Sequence, residues 1–132
     1  HIFKDDPSVY TFSMHQDNIY PKKELSNYDI ALPENLSSSE YLSLLEKGLL
    51  YINRDVKPDL VFYLAGADPF EGDRLGSIKL TFDALETRDA LIKKFVMENN
   101  SRAVIVTAGG YAKQFMDTVK IHYHTAQVFA RI

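Results

Sequence analysis

The sequence predicts an α/β fold built on a mostly parallel sheet, and three observations carry that expectation. Two nearly continuous apolar runs, "KPDLVFYLAGA" (57–67) and "AVIVTAGG" (103–110), have the pattern of parallel strands covered on both faces. The stretches that follow and separate them repeat apolar residues at helical spacing. Strand and helix therefore alternate, the rhythm of crossover units in a parallel sheet. The 132 residues suffice for one domain with a modest core.

Each element has its own local reason. "SVYTFSMH", Ser8 to His15, is rich in β-branched and aromatic residues and follows a proline, so it reads as a strand. "DNIYPKKELSN" is a polar loop. "YDIALP", Tyr28 to Pro33, is a short strand stopped by Pro33, which has no amide hydrogen to donate. Ser37 with Glu40 three residues on forms a capping box, and the helix it starts aligns Tyr41, Leu44, Leu45, Leu49 and Ile52 on one face. A second helix runs roughly from Phe82 to Asn99, with Leu85, Ile92, Phe95 and Val96 inward and Asp89 spaced to pair with Lys93. The final helix presents Phe115, Val119, His122, Ala126 and Phe129 at helical spacing. No internal repeat, linker or low-complexity segment interrupts the pattern.

Composition narrows the function classes. Apolar residues make up 45% and charged residues 25%, an ordinary globular balance. The net charge of −3 with no basic run leaves no footprint for direct nucleic-acid binding. The apolar stretches are too short to span a membrane, and "HIFKDDPSVY" lacks the pattern of a signal peptide. Without cysteine there are no disulfides, thiolate metal sites or cysteine nucleophile, which fits a cytoplasmic protein.

Ligands of open parallel sheets bind beyond the carboxyl ends of the strands. Two loops stand there: "AGADPFEGD" after one long strand and "TAGGYAK" after the next. Their glycines make Asp68 and Tyr111 the first large polar groups to emerge. Both also fit plainer roles. Asp68 precedes a proline and could start a turn; Tyr111 could be a buried aromatic with one satisfied hydroxyl. Asp73 beside Arg74 suits a local ion pair or a turn anchor better than a metal ligand. His15 ends a strand at the same edge and suits site architecture or a hydrogen-bonding strut. His122 and His124, two apart on a helix, do not share a face, and His1 completes the set of four. Neither the phosphate-loop spacing nor the calcium-loop spacing is present.

Taken together, the motifs resemble the zinc-dependent histone deacetylase family, whose arginase/deacetylase fold is a three-layer α/β sheet. "VYTFSMHQDNIYP" resembles the family's strand ending in Ser-x-His and its aromatic-Pro loop. "YDIALP" with "SSSEYL" resembles the next strand and capped helix. "PDLVFYLAGADPFEGDRLGSIKLT" resembles the Pro-Asp strand, Gly-x-Asp loop and Gly-Asp-x-Leu-Gly turn, and "VIVTAGGY" the strand ending in Gly-Gly-Tyr. "EGDRLG" with Arg74, "ETRDALI" and "VTAGGY" point to a class IV-like branch. The resemblance implies a hydrolase that removes acetyl or other acyl groups from lysine or related amines. It implies that Asp68 is a zinc ligand in an Asp/His/Asp site with water in the open position. Tyr111 is then the donor that polarises the substrate carbonyl and stabilises charge in the transition state. Tyr20 and Leu75 match residues lining the acyl tunnel. Ser13 and Met14 match one structural potassium site; Phe3, Asp6, Val9 and Tyr28 match backbone positions of a second.

The resemblance also implies an incomplete catalyst. The family's paired general-base histidines and its Asp-x-His zinc ligands lie on a strand preceding "HIF", and no Asp-x-His strand end or His-His pair stands in residues 1–132. Residues 1–132 are thus expected to be the C-terminal part of a catalytic domain, inactive alone. Omission of that strand is expected to part the sheet into two strand pairs and to favour pairing with the N-terminal part or self-association. The alternative is a non-catalytic fragment or shortened homologue that works as an interaction or oligomerisation module.

Overall fold

A computed structural model describes residues 2–17 and 23–130. The elements in chain order are β1 (Phe12–Gln16), β2 (Tyr28–Leu32), α1 (Ser38–Asp55), β3 (Leu60–Ala65), α2 (Phe82–Glu98), β4 (Arg102–Thr107) and α3 (Phe115–Ala130). Both strand pairings are parallel. β1 runs beside β2 from Phe12↔Tyr28 to Gln16↔Leu32. β3 runs beside β4 from Leu60↔Arg102 to Ala65↔Thr107. The two pairs form separate two-stranded sheets, the division the resemblance implies.

Local chemistry sets the helix boundaries. The Ser37 side chain accepts from the Glu40 amide while Glu40 reaches back to the Ser37 amide, so the predicted capping box is formed. Thr81 caps α2 by accepting from Ala84 N–H at 3.2 Å. At its far end Asn100 takes a left-handed φ of 53°, and Ser101 N–H returns to the Val96 carbonyl at 3.0 Å. Tyr41, Leu45, Leu49 and Ile52 of α1 and Leu85, Ile92, Phe95 and Val96 of α2 are buried, as their spacing predicts. All of these except Val96 form a core cluster with Leu32, Phe70, Leu80 and Ile121, against which Val61 and Tyr63 of β3 pack.

Three expectations need correction. β1 begins at Phe12 rather than Ser8. Upstream, Asp6 accepts from Ser8 N–H and Oγ, and Asn27 accepts from Thr11 N–H and Oγ1, so side chains compete for groups a longer strand would use. α3 buries Ile121, Thr125 and Val128, while Phe115, Val119 and Ala126 of the predicted stripe are exposed. The helix turns the adjacent stripe toward α2. Finally, β3 is not covered on both faces: Leu60, Phe62 and Leu64 alternate as exposed residues, with Phe62 62% and Leu64 67% accessible. Val104 and Val106 of β4 are exposed as well.

The ends of the two sheets are tied by loop contacts. Ser77 N–H donates to Gln16 Oε1 at 2.8 Å, and Asn35 N–H donates to the Ser77 carbonyl at 3.2 Å. The carboxyl ends of β1 and β3 are therefore joined through residues 66–80, the segment that carries the candidate site.

Candidate active site

The loops leaving β3 and β4 interlock. Ala67 N–H donates to the Gly109 carbonyl at 2.6 Å, drawing the Asp68 loop against the Gly109–Gly110 segment. A backbone bond from Phe70 N–H to the Ala67 carbonyl, 3.1 Å, closes the turn containing Asp68 and Pro69. Asp68 therefore lies in a turn, but its carboxylate caps nothing: among the described residues no hydrogen bond or ion pair engages it. The oxygen Oδ1 lies over two glycines. A Cβ on Gly66 would stand 2.5 Å from it and one on Gly109 3.1 Å, so glycine at both positions is what leaves the carboxylate room.

Asp73 behaves in the opposite way. It is buried, and its two oxygens take three backbone amides: Leu75 N–H at 2.8 Å and Gly76 N–H at 2.9 Å on Oδ1, Tyr111 N–H at 2.7 Å on Oδ2. It is the turn anchor, and its partners are amides rather than Arg74. Arg74 points elsewhere, its amide donating to the Tyr111 carbonyl at 3.1 Å and its Nε to the same oxygen at 3.3 Å. An antiparallel bridge pairs Asp73 with Ala112, and Lys113 N–H donates to the Gly72 carbonyl at 3.0 Å. The backbone of Tyr111 is thus held while its ring is 56% exposed, so the reading of Tyr111 as a buried aromatic does not hold. Leu75 is exposed too, and its amide is held by the same Asp73 carboxylate.

Beneath the Asp68 loop lies a charged network that spacing alone misses. Arg88 Nη1 donates to the Gly66 carbonyl at 2.6 Å, and its Nε and Nη2 both stand 2.9 Å from Asp89 Oδ1. Asp89 also accepts from the Tyr63 hydroxyl at 2.5 Å and from Thr125 Oγ1 at 2.6 Å. The expected Asp89–Lys93 pair is replaced by this network, and Lys93 Nζ reaches the Val128 carbonyl at 3.0 Å. Leu85, Arg88, Asp89 and Ile92 share the buried side of α2, so the missed signal was an inward Arg-Asp on an otherwise apolar face. Burial pushes the Tyr63 and Tyr41 hydroxyls well above the usual tyrosine range. Burial opposes the Arg88 charge, but Tyr63 and Asp89 outweigh it and hold the guanidinium charged.

The other predicted positions fall around this centre. His15 is half-buried in β1, with Nδ1 2.9 Å from Ser13 Oγ and 4.0 Å from Asp29 Oδ1, a strut between β1 and β2. Met14 stands opposite Ile30 in the same pair. The carbonyls of Phe3 and Asp6 accept turn bonds from Asp6 and Val9, each keeping a second lone pair. Tyr28 N–H donates to the Thr11 carbonyl at 3.1 Å, which sets the start of β2 beside that segment. Tyr20 lies outside the described residues. Among the described residues no cluster of three or more His, Cys, Asp or Glu side chains is placed to hold a metal. Asp68 offers one oxygen ligand, which does not close a zinc shell.

With this geometry in place, comparison with known proteins identifies the family. The model of the histone deacetylase domain matches residues 1–128. The chain belongs to the histone deacetylase family. This deacetylase-family chain is 43% identical over 122 residues to an uncharacterized protein of Picosynechococcus sp., covering 92% of this chain and 41% of that protein. It is 34% identical over 113 residues to histone deacetylase 2 of Arabidopsis thaliana, covering 83% of this chain and 29% of that protein. The chain therefore spans less than half the length of these relatives. Its fold superposes on a histone deacetylase homologue from Aquifex aeolicus with a TM-score of 0.76 at 20% identity, over 94% of this chain and 36% of that one. An acetylpolyamine aminohydrolase from Burkholderia pseudomallei gives 0.73 at 21% identity, over 91% and 37%. The α/β architecture with parallel strands is thus that of the deacetylase fold.

Proposed function

We propose that residues 1–132 form the C-terminal part of a zinc-dependent amidohydrolase that removes acetyl or other acyl groups from lysine or a related amine. The observation that carries this reading is the contrast between two aspartates of one loop. Asp73 is buried with its oxygens taken up by amides, whereas Asp68 is held over two glycines with its carboxylate unengaged. A carboxylate with no hydrogen bond or ion pair among the described residues is available to a ligand. The residues described do not complete a zinc site, so the further ligands and the general base would come from outside them. On this reading the chain contributes the following groups. Asp68 presents an oxygen ligand. The Tyr111 hydroxyl donates to the substrate carbonyl oxygen as negative charge gathers there. Leu75 lines the path of the acyl chain, a role that the resemblance also gives to Tyr20. Ser13 and Met14, and the carbonyls of Phe3, Asp6, Val9 and Tyr28, would hold potassium. A cytoplasmic location accords with the cysteine-free composition; no described helix is long and apolar enough to cross a membrane.

Two substitutions test the reading in the longer protein that carries this chain. Asp68→Asn should lose bound zinc and turnover together, because a neutral amide is a poorer ligand. Tyr111→Phe should keep zinc and substrate affinity while kcat falls about 100-fold or more, as for loss of one oxyanion donor. Normal zinc content and normal rate in Asp68→Asn would refute the assignment.

A second reading has its own observation. Leu60, Phe62, Leu64, Val104 and Val106 are exposed on β3 and β4. Such a patch marks a contact surface. On that reading the chain acts alone as an interaction or self-association module, and its lack of deacetylase activity is a property of the molecule.

A further inference from the structure

We infer that Asp73 and Arg74 are positioning residues that hold the main chain on both sides of Tyr111 and so place its hydroxyl; the inference rests on the proposed role of Tyr111. A tyrosine at the end of a glycine pair has a backbone with wide conformational freedom. Its ring is exposed and gains little orientation from packing. Among the described residues, its place is set by the main chain. The main chain is held at both polar groups: Tyr111 N–H on Asp73 Oδ2 at 2.7 Å, and its carbonyl accepting from Arg74 N–H at 3.1 Å and Nε at 3.3 Å. The remaining Asp73 oxygen fixes the amides of Leu75 and Gly76. One buried carboxylate therefore couples the position of Tyr111 to that of Leu75, the carbonyl donor to the residue proposed to line the acyl path.

A turn anchor alone would stabilise the loop without affecting catalysis in the folded protein. A positioning residue acts through Tyr111, so its effect disappears when the hydroxyl is gone. Asp73→Asn keeps the shape but replaces one acceptor oxygen by an amide donor, which must face either Tyr111 N–H or the Leu75 and Gly76 amides. A misplacement on the order of 1 Å at a catalytic group costs up to about 100-fold. Arg74→Met removes the Nε contact at an exposed position, where folding is safe.

The test is a double-mutant cycle on kcat, with KM, zinc content and melting temperature measured in parallel, in the longer protein. The inference expects Asp73→Asn to lower kcat about 10-fold or more and Arg74→Met about 2- to 5-fold, at near-normal KM. In the Tyr111→Phe background neither should lower kcat much further. Losses that multiply with that of Tyr111→Phe, or an unchanged kcat in both single variants, overturn the inference while leaving the role of Tyr111 intact. If Tyr111→Phe itself leaves kcat unchanged, the underlying reading fails and the inference with it. Should Asp73→Asn not fold, Arg74→Met decides alone by the same criteria.

Discussion

Arg88 is buried with an acidic neighbour, and the network around it shows how single residues prepare a strand end. Its guanidinium holds the Gly66 carbonyl two residues before Asp68, while Asp89 collects Tyr63, Thr125 and Arg88 itself. Such a cluster is costly to bury and costlier to break. It also carries a pH signature. The Tyr63 hydroxyl titrates above its ordinary value because burial disfavours the phenolate. The unfolded chain then releases this proton first, at the normal tyrosine value near about 10. Stability is therefore complete below that pH and declines as pH rises through and above it. Tyr41 adds a slope of the same sign. Urea unfolding across the alkaline range should show this decline, shallower in Tyr63→Phe than in wild type. Equal slopes would mean that Tyr63 does not feel its burial.

At the scale of the element, α3 illustrates how a helix is assigned correctly and its face is not. Apolar residues occur on more than one stripe of this helix, so spacing alone permits two orientations. Packing against α2 selects Ile121, Thr125 and Val128, and Thr125 is drawn in by its bond to Asp89. Consequently Ile121→Ala should cost about 2–5 kcal/mol, as for a large aliphatic residue removed from a core. Val119→Ala, on the face the spacing favoured, should fall within about 0.5 kcal/mol of wild type. Denaturant midpoints of the two variants distinguish the orientations, and the reverse ranking would contradict the observed packing. The capped start of α1, by contrast, is legible because both halves of the capping box lie within four residues and depend on no distant partner.

At the scale of the molecule, the dominant feature is two parallel strand pairs that do not join, with one face of β3 bare. Two-stranded parallel sheets with open edges and exposed Leu, Phe and Val side chains attract further strands. The 132-residue chain by itself is expected to sediment as a dimer or larger species and to show no hydrolysis of acetyl-lysine with added zinc. Co-expression with the N-terminal portion of a longer family member should convert it to a discrete complex. A stable monomer, or hydrolysis by the chain alone, would contradict this expectation.

Element order, the parallel sense of the strands, the capped start of α1 and the prominence of Asp68 and Tyr111 were determined by the sequence itself. Each depends on neighbours in the chain: apolar runs, a Ser and a Glu three apart, glycines at strand ends. The start of β1 was only half legible, because Asn27 reaches Thr11 from 16 positions away. The role of Asp73, the inward Arg88–Asp89 pair and the face of α3 were decided by the tertiary structure alone. These turn on partners far apart in sequence, such as Asp73 with Tyr111 and Asp89 with Tyr63 and Thr125. A carboxylate that caps amides and one left without a hydrogen-bond partner among the described residues have the same chemistry in the sequence. They differ only in what the fold brings to their oxygens.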